Sequence, residues 1–289
     1  MVSTLRELCR NARRELEPTE GEQAAVTARE LVAYAAGLTA EQLLRQPDAG
    51  ADERVRDRLE AVLKEYRQDR PLAYILGKWS FYGLELTVNE KVLIPRDDTV
   101  AVTELAMEKA RLSRSPRVLD LCAGSGCIGL AVAVRLPEAR VTLAELSEGA
   151  ISVARENRDR YGLKNRVQII RADALATPPA CLKAYDVLVS NPPYVTAAEM
   201  EVLPRSVAGY EPHLALLGGE DGLDFYRSIC RNYRSVLSDG GWLCLEFGMG
   251  QHQAVADILA ENGFTAPLFR RDASGIIRAA AAQKTERND

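Results

Sequence analysis

The chain has 289 residues, of which 47% are hydrophobic, with a formal net charge of −4 and a pI near 5.5. This composition predicts a globular protein with a substantial core, and the acidic balance argues against strong non-specific nucleic-acid binding, which needs a basic surface. No stretch approaches the ~18 uninterrupted apolar residues of a membrane span, and the N-terminus lacks the apolar segment of a secretion signal. The six cysteines include no CxxC pair and no disulfide-framework spacing, which indicates reduced thiols. We therefore expect a soluble, cytoplasmic protein without membrane contact or direct nucleic-acid binding.

Helical periodicity characterises the first part of the chain, from residue 3 to about residue 76. One helix face carries Leu5, Leu8, Cys9, Ala12 and Leu16, and a later one carries Val55, Leu59, Val62, Leu63 and Tyr66. Between them, residues 24–37 predict a further helix that is closed by Gly37, a residue type favoured just beyond a helix C-terminus. These faces predict a small helical bundle as an N-terminal domain over residues 1–77.

A β-rich pattern begins at Trp79. Residues 81–88 and 91–95 predict two strands around a turn at Asn89-Glu90. We expect this hairpin to form a linker over residues 78–96.

Strand and helix patterns alternate over residues 97–289. Strands are predicted at residues 117–122, 140–145, 166–171, 185–190, 241–247, 264–269 and 275–281, and helices at residues 99–111, 127–136, 148–161, 222–237 and 250–262. Such alternation is typical of an α/β domain with a mostly parallel sheet covered on both faces. The connection between the last two strands is too short for a parallel crossover, so we expect them to pair antiparallel.

The string Asn191-Pro192-Pro193-Tyr194 follows the apolar run 185–190 and is predicted to lie at the carboxyl end of a strand, where open α/β sheets bind ligands. The prolines lack an N–H group and push Asn191 towards an extended conformation, so carbonyl oxygens and one carboxamide are the polar groups on offer. Such a corner accepts hydrogen bonds from an –NH2 group, and Tyr194 adds an aromatic face for a planar amide or a nucleobase. A plain proline turn explains Asn-Pro alone, but the four-residue string at a strand end favours a functional site.

A glycine-rich turn follows the first predicted strand of the α/β domain. Gly124 and Gly126 let the backbone approach a ligand closely, and the helix that follows presents free N–H groups. Residues 124–129 also match the dinucleotide pattern GxGxxG, with Glu145 nineteen residues after Gly126 as a candidate for binding ribose hydroxyls. The turn alone therefore leaves a dinucleotide and S-adenosylmethionine both open.

Two features favour S-adenosylmethionine. Asp120 lies in the first strand close to the turn, where its charge would attract the cationic methionine end of that cofactor and repel a pyrophosphate. The strand-end corner at Asn191 has no obvious use in hydride transfer. Asp173 is then placed to approach the adenine amine, although a turn or helix N-cap role is an equally good interpretation of this residue.

Strings spread over nearly the whole chain match a known family. They are RPLAYILG at residues 70–77, FYGL at 81–84, VLIPR at 92–96, DLCAGSG at 120–126, SNPPY at 190–194, EP at 211–212, GG at 218–219, DGL at 221–223 and LEFG at 245–248. In these strings the chain resembles the release factor glutamine methyltransferases of the HemK/PrmC family. One departure is Asp97-Asp98 after Arg96, where the family usually has a proline and an acid.

The resemblance implies a Rossmann-like class I S-adenosylmethionine-dependent methyltransferase fold, with a mostly parallel seven-stranded sheet whose last strand is antiparallel. It implies transfer of a methyl group from S-adenosyl-L-methionine, leaving S-adenosyl-L-homocysteine, to the glutamine side-chain amide in the Gly-Gly-Gln loop of bacterial release factors. No metal is expected. The helical domain would recognise the substrate, and residues 97–289 would form the methyltransferase domain.

The motifs that match the family also imply which residues form the site. The expected cofactor contacts are Asp120, Cys122, Ala123, Gly124, Ser125, Gly126, Glu145, Asp173, Ala174 and Asn191. The expected substrate contacts are Asn191, Pro192, Pro193 and Tyr194, of which Asn191, Pro192 and Tyr194 would be catalytic. We expect the Asn191 side-chain oxygen and the Pro192 carbonyl to accept the two N–H groups of the substrate amide, while Tyr194 confines its plane.

Three alternatives remain. A ribosomal-protein glutamine methyltransferase shares the Asn-Pro-Pro-Tyr string and a helical extension. An enzyme that methylates an adenine or cytosine amine would use the same corner, but it requires base flipping and a basic channel. A catalytically silent partner-binding protein of the same fold is the third.

Overall fold

The computed structural model describes residues 3–286 and divides into two units, Met1–Gly77 and Lys78–Asp289. The first unit is helical: α1 Leu5–Glu20, α2 Ala24–Ala36, α3 Ala40–Arg45, α4 Glu53–Arg67 and α5 Leu72–Leu76, with a 3-10 turn at Gly21–Gln23. Its buried cluster contains the leucines that the periodicity placed on the inner faces, including Leu8 and Leu59.

Local sequence signals explain where these helices begin and end. Thr4 caps α1 and Thr39 caps α3, each in a capping box in which the side chain three residues later bonds back to the cap backbone. Gly37 ends α2 in the left-handed conformation, with φ of 70°, as its position in the sequence predicts.

The second unit begins with a hairpin of β1 Lys78–Phe81 and β2 Leu84–Thr87. The chain does turn at Asn89-Glu90, where the Val92 N–H donates to the Asn89 carbonyl at 3.0 Å. The prediction that this turn closes the hairpin is wrong, because the two strands pair around Tyr82-Gly83. Both turn residues have positive φ, 48° and 80°, which is the geometry that matches the twist of a two-residue hairpin. A tyrosine in this conformation is uncommon, so the sequence gives little sign of it.

The predicted strand at residues 91–95 is also absent from the described structure. Its apolar residues Val92 and Ile94 are nevertheless buried. Residues 91–95 are not a strand, and the Ile94 N–H donates to the Glu211 carboxylate at 3.0 Å. An apolar run of this length signals burial, but it does not by itself distinguish a strand from a buried loop.

A seven-stranded sheet forms the rest of the unit. Its strands are β3 Arg117–Leu121, β4 Arg140–Glu145, β5 Val167–Arg171, β6 Tyr185–Ser190, β7 Leu237–Glu246, β8 Leu268–Arg271 and β9 Ile277–Gln283. The spatial order is β5-β4-β3-β6-β7-β9-β8. Neighbours from β5 to β7 pair parallel, whereas β9 pairs antiparallel with both β7 and β8. The predicted sheet and its antiparallel last strand are confirmed.

Helices cover the sheet. They are α6 Val100–Ala110, α7 Cys127–Arg135, α8 Glu148–Arg160, α11 Asp224–Asn232 and α12 His252–Glu261, with the short α9 Ala197–Met200 and α10 Arg205–Ala208 between β6 and α11. Two strand boundaries differ from prediction by four residues, whereas the others agree within two: β7 begins at Leu237 rather than at residue 241, and β8 begins at Leu268 rather than at residue 264. None of the helices in residues 3–286 is long and apolar enough to cross a membrane.

The side chains of β3 alternate between the two faces of the sheet and pack into two separate hydrophobic clusters. Val118 packs into the cluster that includes residues of α6 and α7, whereas Leu119 and Leu121 pack into the cluster that includes residues of α11 and α12. Asp120 lies on the same face of β3 as Val118 and therefore points towards α7. Because β3 has β4 on one side and β6 on the other, the crevice where ligands bind in such sheets opens at its carboxyl end.

Asn157 in α8 ties the hairpin to the turn after β3. Its Oδ1 accepts from the Thr87 N–H at 2.7 Å, and its Nδ2 donates to the Thr87 and Ser125 carbonyls, both at 3.0 Å. The side chain is fully buried, so its hydrogen-bonding capacity is used within the protein.

Replacing Asn157 by alanine removes all three bonds and leaves buried backbone groups unsatisfied. We expect the free energy of unfolding, measured by urea denaturation, to fall by about 2–4 kcal/mol. The exposed Asn165, replaced by alanine, is the matched control and is expected to change stability by less than about 0.5 kcal/mol. Equal, small losses in the two variants would contradict the anchoring role of Asn157.

Candidate functional site

A cavity of about 290 Å³ opens at the carboxyl ends of the central strands. Seven of the residues expected in the site line it: Cys122, Gly124, Glu145, Asp173, Ala174, Asn191 and Pro193. Other lining residues are Lys91, Val92, Leu93, Leu146, Ser147, Ala150, Ala172, Leu175, Pro212, Leu214, Ala215 and Phe225. The glycine turn, the acid after β4 and the corner after β6 therefore face one space, as their positions at strand ends predict.

The glycine turn runs from β3 into α7 with three residues at positive φ. Gly124 and Gly126 have φ of 54° and 81°, and Cys122, which is not a glycine, has φ of 61°. A Cβ on Gly126 would approach the Leu143 side chain to 3.0 Å, so this position needs glycine for space as well as for conformation. Cys122 thus sits in a backbone region that side chains other than glycine, asparagine and aspartate seldom adopt, a kind of strain concentrated at functional sites.

The Glu145 carboxylate holds this turn in place. Its Oε2 accepts from the Gly124 N–H at 2.9 Å, and its Oε1 accepts from the N–H groups of Leu146 and Ser147 at 2.8 and 2.9 Å. A carboxylate has about four lone-pair positions, so these three donors leave one for a ligand hydroxyl in the cavity that Glu145 lines.

Asp120 lies beneath the turn, fully buried and outside the residues that line the cavity. Its Oδ2 accepts from the Gly129 N–H in α7 at 2.8 Å, whereas its Oδ1 has no hydrogen-bond partner among residues 3–286. Burial raises the pKa of Asp120 to about 7, the bond from Gly129 opposes this rise, and the charge of Glu145 adds to it.

Asp173 and Ala174 form the wall on the β5 side. The Asp173 Oδ1 accepts from the Leu175 N–H at 2.8 Å, which is the local turn role open to this residue from the sequence. The backbone carbonyls of Asp173 and Ala174 accept from the hydroxyls of Tyr233 and Ser228 at 2.8 and 2.7 Å. The wall is therefore fixed from behind, and both of its residues line the cavity.

At the strand-end corner, Asn191 and Pro193 line the cavity, whereas Pro192 and Tyr194 are outside its lining residues. The Asn191 Nδ2 donates to the Thr99 hydroxyl at 3.2 Å. Burial raises the pKa of Tyr194 to about 12, and the charge of Glu246 contributes to the rise.

Three glycines far along the chain leave room for this corner. A Cβ on Gly218 would lie 2.7 Å from the Pro193 carbonyl oxygen, and one on Gly222 would lie 2.3 Å from the Tyr194 carbonyl oxygen. A Cβ on Gly248 would lie 3.1 Å from the Tyr194 ring. These contacts give a steric reason for the glycine strings at residues 218–219, 221–223 and 245–248.

The site also contains an ion pair between a buried carboxylate and a half-buried arginine, which no sequence pattern placed together. Glu211, whose side chain is 1% exposed, pairs with Arg96 and accepts from the Ile94 N–H. It thereby joins the segment that follows the corner to the segment whose residues 91–93 line the cavity. Both segments are irregular, so hydrophobic periodicity could not predict that they contact each other. In the sequence, Arg96 and Glu211 were marked only by the strings that match the family.

Asp97 and Asp98, which depart from the family pattern, lie in a turn, and Asp98 forms an ion pair. Residues Asp97–Thr99 form a 3-10 turn that leads into α6, and Asp98 pairs with Arg278 of β9 at 3.2 Å. Among residues 3–286, no group of three or more His, Cys, Asp or Glu side chains is arranged to hold a metal ion.

Comparison with known proteins places this site in a family. The profile described as "PrmC N-terminal domain" matches residues 7–77, and the profile described as "Methyltransferase small domain" matches residues 98–218. The "Release factor glutamine methyltransferase" of Geobacter sulfurreducens is 42% identical over 208 residues, covering 72% of this chain and 71% of that protein. The protein of the same name from Clostridium acetobutylicum is 38% identical over 230 residues, covering 77% of this chain and 81% of that protein.

A solved structure shares the fold. A methyltransferase from Pyrococcus furiosus matches with a TM-score of 0.52 and 16% identity, covering 72% of this chain and 92% of that one. The predicted class I S-adenosylmethionine-dependent methyltransferase fold is confirmed. Since its relatives share this level of identity over more than two thirds of both chains, the protein belongs to the family of release factor glutamine methyltransferases.

Proposed function

We propose that this protein transfers a methyl group from S-adenosylmethionine to the side-chain amide nitrogen of a glutamine in a bacterial peptide chain release factor. The observation that carries the proposal is that Asn191 and Pro193 line the same cavity as Gly124 and Glu145. An acceptor corner for an –NH2 group and a cradle for a cofactor therefore share one space.

The residues of the cavity fit the cofactor. Glu145 keeps one lone-pair position for a ribose hydroxyl, and Ala174, Leu175 and Phe225 offer a slot with small and apolar walls for a planar base. Asp120 has an unpartnered buried oxygen below the glycine turn, and its ionised form, which predominates above its pKa of about 7, favours a cation on the other side of that turn. The bound cofactor supplies an electrophilic methyl group on a positively charged sulfur.

We assign the remaining cofactor contacts to the backbone of Cys122, Ala123, Gly124, Ser125 and Gly126 and to Asp173. Glycine at positive φ lets the turn approach a ligand without side-chain interference, and α7 starts immediately after it.

The chain's own task in the reaction is to orient a weak nucleophile. An amide nitrogen has its lone pair delocalised into the carbonyl group, so reaction requires the N–H bonds to be held in a fixed direction. The Asn191 Oδ1 and the Pro192 carbonyl accept these two N–H groups, and the buried Tyr194 limits the movement of the amide plane. As positive charge develops on nitrogen, both acceptors bind it more strongly, which stabilises the transition state.

The release factor is the proposed partner, through the glutamine of its Gly-Gly-Gln loop. Two curated relatives that cover most of this chain carry that activity in their names, and the profile match over residues 7–77 extends the likeness to the helical unit. We assign substrate recognition to residues 1–77, a linker role to residues 78–96 and catalysis to residues 97–289. The net charge of −4 agrees with a protein partner in the cytoplasm rather than a nucleic-acid one.

A methyl-transfer assay separates this function from its alternatives. Labelled S-adenosylmethionine is supplied with purified release factors, ribosomal proteins and DNA, and we expect label only in the release factors, at the Gly-Gly-Gln glutamine. Replacing that glutamine in the substrate by asparagine is expected to abolish labelling. Label in a ribosomal protein or in DNA alone would overturn the assignment.

Replacing Asn191 by alanine is expected to reduce turnover at least 100-fold, because one of the two acceptors that orient the amide is lost. Cofactor affinity, measured by calorimetry, is expected to change less than about tenfold, since the glycine turn and Glu145 are intact. Near-normal turnover in this variant would remove Asn191 from its role.

Replacing Glu145 by glutamine is expected to weaken cofactor binding by at least tenfold. The amide group offers one acceptor oxygen where the carboxylate uses two, so both the glycine turn and the ribose position lose a partner. Glu148 is an exposed acid three residues further on, and Glu148→Gln serves as the control with unchanged affinity. Equal affinities for the two variants would exclude Glu145 from cofactor binding.

Replacing Asp120 by asparagine is expected to change how stability depends on pH. With a pKa near 7, Asp120 stays protonated in the folded protein over a range, about pH 4 to 7, in which the unfolded chain releases the proton. The free energy of unfolding of the wild type therefore falls through this range, by up to about 4 kcal/mol from this group. Between pH 5 and pH 8 we expect the free energy of unfolding of wild type to fall relative to that of Asp120→Asn. If urea denaturation gave the same pH dependence for both proteins, the raised pKa of Asp120 would be contradicted.

A further inference from the structure

Gln251 lies next to the strand-end corner, and the reaction as described does not use it. It is half-buried and immediately precedes α12, whose first residue is His252. Its Nε2 donates to the carbonyl oxygens of Tyr194 and Gly222, at 3.2 and 3.5 Å, and its Oε1 accepts from the Gly248 N–H at 2.9 Å. We call these three bonds of one side chain the Gln251 clamp.

The local turn fixes which end of the Gln251 carboxamide faces the corner. The Gln251 backbone N–H donates to the Gly248 carbonyl at 3.2 Å, so residues 248–251 form a tight turn, and the side chain folds back onto the N–H of Gly248. With Oε1 used there, Nε2 is the end that bonds to the corner. Turning the carboxamide would bring its oxygen against the Tyr194 carbonyl oxygen and its nitrogen against the Gly248 N–H, so both contacts would become repulsive.

Two glycines leave the space that the clamp needs. A Cβ on Gly222 would lie 2.7 Å from the Gln251 Nε2 and 2.3 Å from the Tyr194 carbonyl oxygen, so it would occupy the place of the bond between them. A Cβ on Gly248 would lie 3.1 Å from the Gln251 Oε1 and 3.1 Å from the Tyr194 ring. Three irregular segments therefore meet at one side chain: the corner after β6, the segment before α11 and the turn after β7.

The corner depends on such donors, because it lies beyond the last residue of β6 and its two prolines supply no N–H group. Just after the corner, the Val195 N–H donates to the Leu216 carbonyl at 2.9 Å, and the Val195 carbonyl accepts from the Gly218 N–H at 2.8 Å. The bond from Gln251 to the Tyr194 carbonyl lies between these bonds and the prolines. Together they fix the peptide group that follows Tyr194, and with it the direction in which the Tyr194 Cα carries the ring.

We propose that Gln251 is a positioning residue for methyl transfer, which acts through the Tyr194 backbone to hold the Tyr194 ring where it confines the substrate amide. This role rests on the proposed function, both for the substrate and for the part that Tyr194 plays. Gln251 does not line the cavity, so replacing it leaves the groups assigned to the cofactor in place.

A purely structural role for Gln251 would be to begin α12. In that role the important bond is the one that Oε1 accepts from Gly248, and the donation to Tyr194 is incidental. Glutamate separates the two roles, because a carboxylate can accept from Gly248 but has no hydrogen to donate to Tyr194. An acid beside the first residue of a helix is also favoured by the helix dipole, so Gln251→Glu retains the start of α12.

The first experiment measures kcat, KM and cofactor affinity in Gln251→Glu, Gln251→Met and Gln253→Met. Gln253 is the matched control, because it is an exposed glutamine of α12 whose side chain donates to Asp257 of the same helix at 2.9 Å. We expect both Gln251 variants to lose at least tenfold in kcat, with KM for the release factor and cofactor affinity within about threefold of wild type. Gln253→Met is expected to match wild type.

A second experiment needs no turnover. In protein that is isotope-labelled on its tyrosine rings, the ring resonances of Tyr194 are identified by their loss in Tyr194→Phe. We expect them to shift or broaden in Gln251→Glu and Gln251→Met, because the peptide group after Tyr194 is no longer held. They are expected to stay unchanged in Gln253→Met.

Wild-type turnover in Gln251→Glu would overturn the proposal, because it would reduce Gln251 to its role at the start of α12. Unchanged Tyr194 resonances in Gln251→Met, or equal losses of kcat in Gln251→Met and Gln253→Met, would overturn it as well. A wild-type protein that methylates no release factor would reject the proposed function instead. Tyr194 resonances that still move in both Gln251 variants would then leave the hold of Gln251 on Tyr194 standing.

Discussion

The site depends on one carboxylate that accepts three backbone N–H groups. Glu145 ends β4, yet it bonds to Gly124 in the turn that follows β3, so it fixes two neighbouring strand ends relative to each other. Without a side-chain acceptor at this place, the turn would present unpaired donors beside a cavity. The bond from Gly124 holds the turn in which Cys122 adopts a positive φ, a conformation that costs free energy in a residue other than glycine.

Two further acids, Asp120 in β3 and Glu246 in β7, are buried in the sheet. Asp120 keeps an unpartnered oxygen under the glycine turn, and Glu246, the last residue of β7, also keeps one among the residues that the structure describes. Burial raises the pKa of both, so each has a cost in stability at neutral pH. A protein selected for stability alone would be expected to fill these positions with apolar residues.

The regular strands and helices of the fold could be predicted from the sequence. Alternating strand and helix patterns gave the parallel sheet, and the position of Asn191 after β6 brought it to the same edge as Gly124. Prediction from the sequence failed where the chain is irregular: Tyr82 takes a positive φ that its residue type does not suggest, and the Glu211–Arg96 pair joins two segments without periodicity. Contacts that depend on the exact course of loops need coordinates.

Asn157 gives the hairpin and the glycine turn a common anchor, since one side chain bonds to Thr87 on one side and to Ser125 on the other. Any ligand that orders the turn therefore also favours the bonded position of the hairpin, and the hairpin in turn favours the ligand by the same free energy, because linkage is reciprocal. Residues 78–87 are thus more than a covalent connection within the chain. They are the part of the chain ahead of the sheet that Asn157 bonds to the glycine turn beside the cavity.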